Sequence, residues 1–284
     1  MPQVFTSISR SCASALMALS AMVLLGSPAA AGPRAAEIDA LFEALNMPEM
    51  FTILQEEGEA YGDDLAEEML PGGTGPGWQA VVRRLHDPAS LEEIMRAAFE
   101  ESFGNAEIAP LLSFFQSESG QRIIELELAA RRAFMEEGTE EAARDQFRGV
   151  QEPYEAHLAA IEAFIVENEL VEMNVVGALN ANIMFMRGLI QGGAIEMSEE
   201  DVLSDVWAQE PTTRMDTHEW VYSFLMLAYE PLSTEEVQAY VALSRTPEGQ
   251  ALNRALFAGF DRMYGTVSMS LGLALARQME GESL

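Results

Sequence analysis

Three histidines, 46 carboxylates and 16 arginines are the groups from which this 284-residue chain could build an ionic or catalytic site. His86, His157 and His218 stand far apart, and none has a second histidine at the spacing of metal ligands. The densest polar cluster is Asp216-Thr217-His218-Glu219. There His218 could serve a hydrolase or a metal-dependent enzyme together with nearby carboxylates, Asp201 or Asp205 being recruited from elsewhere. The same residues also read as a helix start. Asp216 caps a helix beginning at Thr217, and Glu219 favours its positive end. The second reading accounts for every polar group in the cluster. No catalytic residue, metal ligand or cofactor-binding residue is therefore assigned.

Other chemistry is poorly served. The pairs Asp63-Asp64, Glu67-Glu68 and Glu136-Glu137 are adjacent in sequence. Neighbours on a helix point about 100° apart, so such pairs do not share a proton. A Gly-x-Ser-x-Gly elbow and an EF-hand loop are both missing. The methionines, Met184 and Met186 among them, read as core filler rather than copper ligands.

The charge is extreme, with a net of −30 and no lysine at all. Schiff-base and lysine-dependent phosphate chemistry have no lysine to use. Nucleic-acid binding lacks its basic footprint, and docking on anionic lipid is opposed. Residues 32–150 carry 25 acids and 9 arginines, and residues 151–284 carry 21 and 6. Such even spreading describes a solvated acidic surface rather than an acidic tail.

At the N-terminus, Arg10 precedes an apolar run from Ala13 to Leu25, and Ala29-Ala30-Ala31 follows a Gly-Ser-Pro break. This reads as a signal peptide over 1–31, cleaved to leave a periplasmic protein. The run is shorter than the roughly 20 residues of a membrane span. Cys12, the only cysteine, lies inside the signal peptide, so the mature chain has no disulfide or thiol chemistry.

Helical signals dominate the remainder. Pro48 opens one helix, and the Pro- and Gly-rich stretch 71–77 is a flexible loop without the Gly-Lys-Ser/Thr ending of a phosphate cradle. Asp87-Pro88 caps a helix to about Phe103 with Leu91, Ile94, Met95, Ala98 and Phe99 on one face. Asn105 is positioned to cap a short helix through Phe115, and Ser117 caps the next, on which Glu127 and Arg131 are spaced for an i,i+4 pair. Residues 151–169 form a linking helix. Met173 to Ile195 carries Arg187 as its sole charge, yet its three asparagines argue for a buried helix rather than a membrane span, with Gly177 and Ala181 admitting a close neighbour. Ser233 to Glu236 is a capping box, and Thr246-Pro247 starts a long helix with the stripe Leu252, Leu256, Phe260, Met263, Val267, Leu271 and Ala274.

One signal occurs twice, as Ser117-Glu118-Ser119-Gly120-Gln121 and Thr246-Pro247-Glu248-Gly249-Gln250, with the glycines 129 residues apart. Ser117 or Thr246 caps the first turn, Gly120 or Gly249 lets a neighbour approach, and Gln121 or Gln250 can bond that neighbour. At the same offset, 91–135 aligns without gaps on 220–264. The stretch from Leu111 to Gln121 resembles the signature of exported bacterial proteins grouped as domain of unknown function 2059, and Val241 to Gln250 is a divergent second copy. The first copy has Glu118 where proline is usual, and the second lacks the aromatic pair. The resemblance implies an all-helical exported domain and carries over no catalytic residue.

The expected fold is therefore all-α, with roughly ten helices, no sheet, and two related repeat units, 32–150 and 170–284, packed together. The expected role is non-enzymatic binding of an envelope protein or an apolar ligand in a groove between the units, lined by Phe114, Phe115, Trp220 and Phe224. No cofactor, no nucleic acid and no membrane span after signal removal are expected.

Overall fold

A computed structural model describes residues 33–70, 73, 75–151, 154–279 and 281. The signal-peptide reading over 1–31 lies outside the described residues. Among them the chain is all-helical, with thirteen α-helices and no strand. The helices are α1 (Pro33–Ala44), α2 (Met47–Met69), α3 (Pro76–Leu85), α4 (Pro88–Phe103), α5 (Ala109–Phe115), α6 (Glu118–Phe134) and α7 (Thr139–Arg148). After the link come α8 (Ala156–Glu167), α9 (Leu170–Gln191), α10 (Glu199–Ala208), α11 (Glu210–Tyr229), α12 (Thr234–Ser244) and α13 (Pro247–Met279). No helix among the described residues is long and apolar enough to cross a membrane.

The helix starts follow cap chemistry. Asp87 accepts from the Ser90 amide at 3.0 Å, with Pro88 behind it in the first turn. Ser233 and Glu236 form a reciprocal capping box, as do Ser198 and Asp201 at the start of α10. Two expected caps are not made. The α5 helix begins at Ala109 with Pro110 in its first turn, so exposed Asn105 lies outside it. The α11 helix begins at Glu210, seven residues before Thr217, which places Asp216 and Glu219 in a helix interior.

The long α13 packs most extensively on α9 and then on α4. Its contact with α9 is backbone against backbone. A Cβ on Gly188 would lie 2.3 Å from the Met269 carbonyl oxygen, and one on Gly272 would lie 2.3 Å from the Phe185 carbonyl oxygen. This pair, rather than Gly177, admits the close neighbour; nothing lies within 4 Å of a Cβ at Gly177. On α2, Gly58 and Gly62 receive α3, and Trp78 Nε1 donates to the Gly62 carbonyl at 2.7 Å.

Buried apolar residues fall into two clusters. The larger gathers α1 to α5 with α9, α10 and α13, including Phe51, Trp78, Phe99, Phe115, Phe185 and Leu271. The smaller joins α6, α8, α11 and α12 through Ile123, Phe164, Val221, Tyr229 and Val241. Each cluster draws on residues from before and after the linking helix.

Candidate functional site

The repeated helix-start signal builds the same junction twice. Ser117 Oγ accepts from the Gly120 amide at 3.1 Å and donates to the Phe114 carbonyl at 2.6 Å. Thr246 Oγ1 accepts from the Gly249 amide at 3.0 Å and donates to the Leu243 carbonyl at 2.7 Å. A Cβ on either glycine would meet the preceding helix's carbonyl oxygen, of Phe114 or Leu243, at 2.1 Å. The glutamines part company. Gln121 Nε2 donates to the carbonyls of Ala44 at 2.9 Å and Phe115 at 2.5 Å, tying α6 to the end of α1, whereas Gln250 is exposed.

The four aromatics expected to line one groove lie in two groups. Phe114 stacks on Tyr240, and buried Phe115 meets the same ring edge-on. Trp220 and Phe224 stack on each other, and Phe134 abuts both. Their faces are occupied by neighbouring rings, so these residues hold α6 against α11 and α5 against α12. The Trp220 indole N–H is buried without a hydrogen-bond partner.

His218 is exposed and stacks on Tyr222 at 4.5 Å between centroids, with Phe147 beyond. Its flanking acids are engaged by arginines. Arg144 on α7 reaches Glu140, Asp216 and Glu219, and Arg148 reaches Glu141, Asp145 and Glu219. The Arg148 and Arg144 guanidiniums hold the Glu219 carboxyl below its usual range. The cluster is thus an ion-pair staple joining α7 to α11 and offers His218 no oriented base or acid. Among the described residues no group of three or more His, Cys, Asp or Glu side chains is arranged to hold a metal ion.

Two buried titratable groups escaped sequence reasoning. Glu127 does not pair with Arg131. It accepts a 2.5 Å hydrogen bond from the Tyr229 hydroxyl across α6 and α11, and burial pushes its carboxyl up to about 7, against that bond's opposite pull. Arg131 instead grips Glu57 on α2 with two bonds of 2.7 and 2.8 Å. His86 is fully buried against Gly58 with Nδ1 on the Val82 carbonyl at 2.8 Å. Burial pulls its imidazole down to about 4, outweighing the bond to Val82, and Nε2 has no partner. The ring is neutral at pH 7, with the proton on Nδ1.

The surface is uneven at α10. Val202 and Val206 face inward, while Leu203 and Trp207, four apart, are 37% and 62% exposed. Met215, near the start of α11, is exposed too. An open cleft of about 560 Å³ lies where α9 gives way to α10, lined by Ile190, Ile195 and Met197, with Glu196, Ser198 and Asp201 adding polar groups. The sequence signal was available: an i,i+4 apolar pair outside the buried stripe of a helix that a capping box announces.

Residues 89–147, from α4 to near the end of α7, match a family model described as an uncharacterized protein conserved in bacteria (DUF2059). The match includes the first Gly-Gln junction and Arg144 of the α7 staple, and ends one residue before Arg148. No curated protein and no solved structure matches the chain.

Proposed function

We propose that this chain is an exported, non-enzymatic helical module that binds another protein in the periplasm. Export rests on the signal-like segment 1–31. The second half reads as a divergent copy of the matched segment, a reading supported by the recurrence of the cap, carbonyl and glycine geometry at Ser117 and Thr246.

The observation that carries the binding role is the exposure of Leu203 and Trp207 on one edge of α10. Large exposed apolar side chains that cluster on a charged protein mark contact surfaces, and tryptophan is enriched where binding energy concentrates. The expected groove between the halves is replaced in this reading by the α10 face, because the aromatics assigned to it pack against one another. The test is affinity capture from an envelope extract with the mature protein and its Trp207→Ala variant. A discrete protein retained by the first and lost by the second is expected. Identical captures would remove the reading.

A further inference from the structure

Two counterpart helix crossings join the halves of the molecule, and they are built from different chemistry. The divergent-copy reading sets α8 to α13 against α1 to α6, so that α11 is the counterpart of α4 and α13 that of α6. Asn46 and Glu169 support the pairing. Among the described residues they are the non-glycine residues with positive φ, and they stand before α2 and before α9. The last helix of each unit lies on the fourth helix of the other, α13 on α4 and α6 on α11. At the first crossing Gly259 presses on Met95, where a Cβ would lie 3.0 Å from the side chain and from the carbonyl oxygen. Leu256, just before it on α13, packs on the larger core. At the second crossing the same offset of 129 puts Ala130 in the place of Gly259 and Glu127 in the place of Leu256.

Glu127 is partly exposed as a residue, but its carboxyl meets the hydroxyl of Tyr229, which is fully buried. The groups around it supply phenols and no free cation. On α6 itself, Arg131 is committed to Glu57 of α2 and to the Tyr264 hydroxyl of α13, and Arg122 to Glu236 and the Pro231 carbonyl. From α11 comes Tyr229, and from α12 comes Tyr240; burial pushes both phenols up, so they stay neutral. From α8 come the Phe164 ring against both tyrosines, His157 with Nε2 on the Tyr229 carbonyl, and Glu162 at the Tyr222 hydroxyl. A neutral carboxyl is well served here. An ionised one has a single phenol to bond and must give up its water. Burial places its ionisation at about pH 7, against the pull of the Tyr229 bond.

We propose that the α6–α11 crossing is a pH-operated latch, closed while the Glu127 carboxyl is neutral and opening locally to water when that carboxyl ionises. The α13–α4 crossing has no such group at its centre and keeps the two halves together while the latch is open. The device is independent of the α10 face. Its two states differ in whether α6 lies dry against α11 and α12, and the opening is a local one within the native protein. The sign follows from burial: a carboxyl more easily ionised in water than in the closed crossing favours the open form as pH rises.

The experiment is native-state hydrogen exchange on the full mature chain, read by mass spectrometry at about pH 5.5 and about pH 8 and corrected for the chemical exchange rate. Amides of α6 and α11 are expected to lose protection by about tenfold between the two, on the linkage relation. Amides of α13 and α4 should lose none. Glu127→Gln keeps an acceptor for Tyr229 without the charge, and Glu127→Leu installs the residue of the counterpart crossing. Either should abolish the pH dependence in α6 and α11. Two variants of different shape separate the charge from an accident of packing. An equal loss of protection in α4, α6, α11 and α13 would mean a global change of stability and would overturn the latch. So would a loss in α6 and α11 that both variants retain, or no loss at all.

Discussion

Glu127 and His86 are two buried groups whose protonation moves stability in opposite directions. Glu127 has a folded pKa of about 7 against 4.5 in an ordinary carboxyl. The folded state therefore holds its proton longer than the unfolded state, and stability falls as pH rises from about 4.5 to about 7. His86, pulled from 6.5 to about 4, gives the reverse: stability rises with pH across that interval and is fully present above 6.5. Each contributes at most about 3 kcal/mol on the linkage relation. Their windows overlap, so the two slopes largely cancel in the parent protein. Denaturant unfolding between pH 4.5 and 7 should show this directly. Relative to the parent, Glu127→Gln should gain stability as pH rises, and His86→Gln should lose it. Parallel curves for the parent and Glu127→Gln would mean that the carboxyl is ionised in the folded protein throughout. Neither group was legible in the sequence. Spacing offered Glu127 an arginine four residues on, but Arg131 closes a two-bond pair with Glu57, 74 residues away, and leaves Glu127 to Tyr229. Local periodicity sees one helix at a time, whereas burial beside a second helix decides which partner wins.

At the scale of elements, the glycines report where helices touch. Gly188→Ala and Gly272→Ala push a methyl into the backbone of the facing helix and should each cost about 3 kcal/mol. Gly177→Ala sits in open space within the same helix and should be neutral or stabilising by about 0.5–1 kcal/mol. Thermal melts of the three variants check this, and a Gly177→Ala loss as large as the Gly188→Ala loss would contradict the packing described. Gly120→Ala and Gly249→Ala should be destabilising to a similar degree, because the clash at each is with a carbonyl oxygen 2.1 Å away. The helix starts at Asp87, Ser117, Ser233 and Thr246 were readable, since a cap is a local device of side chain and amide. The start of α11 was not. Asp216 has the residue type of a cap, yet Pro211 begins that helix earlier, and the carboxylate instead serves Arg144 on α7. The buried nature of α9 followed from its polar side chains, but which glycine meets α13 depends on the crossing point, which sequence spacing does not specify.

For the whole molecule, the net charge of −30 outweighs its arginine pairs. Most of those pairs are solvent-exposed, where such bridges contribute little. Salt therefore relieves more repulsion than it screens attraction, and the melting temperature should rise with sodium chloride. A flat or falling curve would show that the ion pairs dominate. The all-helical architecture was legible because capping and apolar stripes at 3.6-residue spacing repeat along the chain. The exposed α10 edge was passed over although its i,i+4 apolar pair stands in the sequence, because a binding surface was sought among the aromatics. Phe114, Phe115, Trp220 and Phe224 are spent on packing, while the exposed apolar pair lies on a short helix whose acids drew attention only as metal ligands.

We propose α10 as the place where this protein meets another. Site-specific photo-crosslinking addresses it in the cell envelope, with a photoreactive side chain at position 207 and, as a control, at exposed Glu67 on α2. A discrete protein adduct from position 207 and none from position 67 is the expected result. No adduct from 207, or the same adduct from both positions, would contradict it.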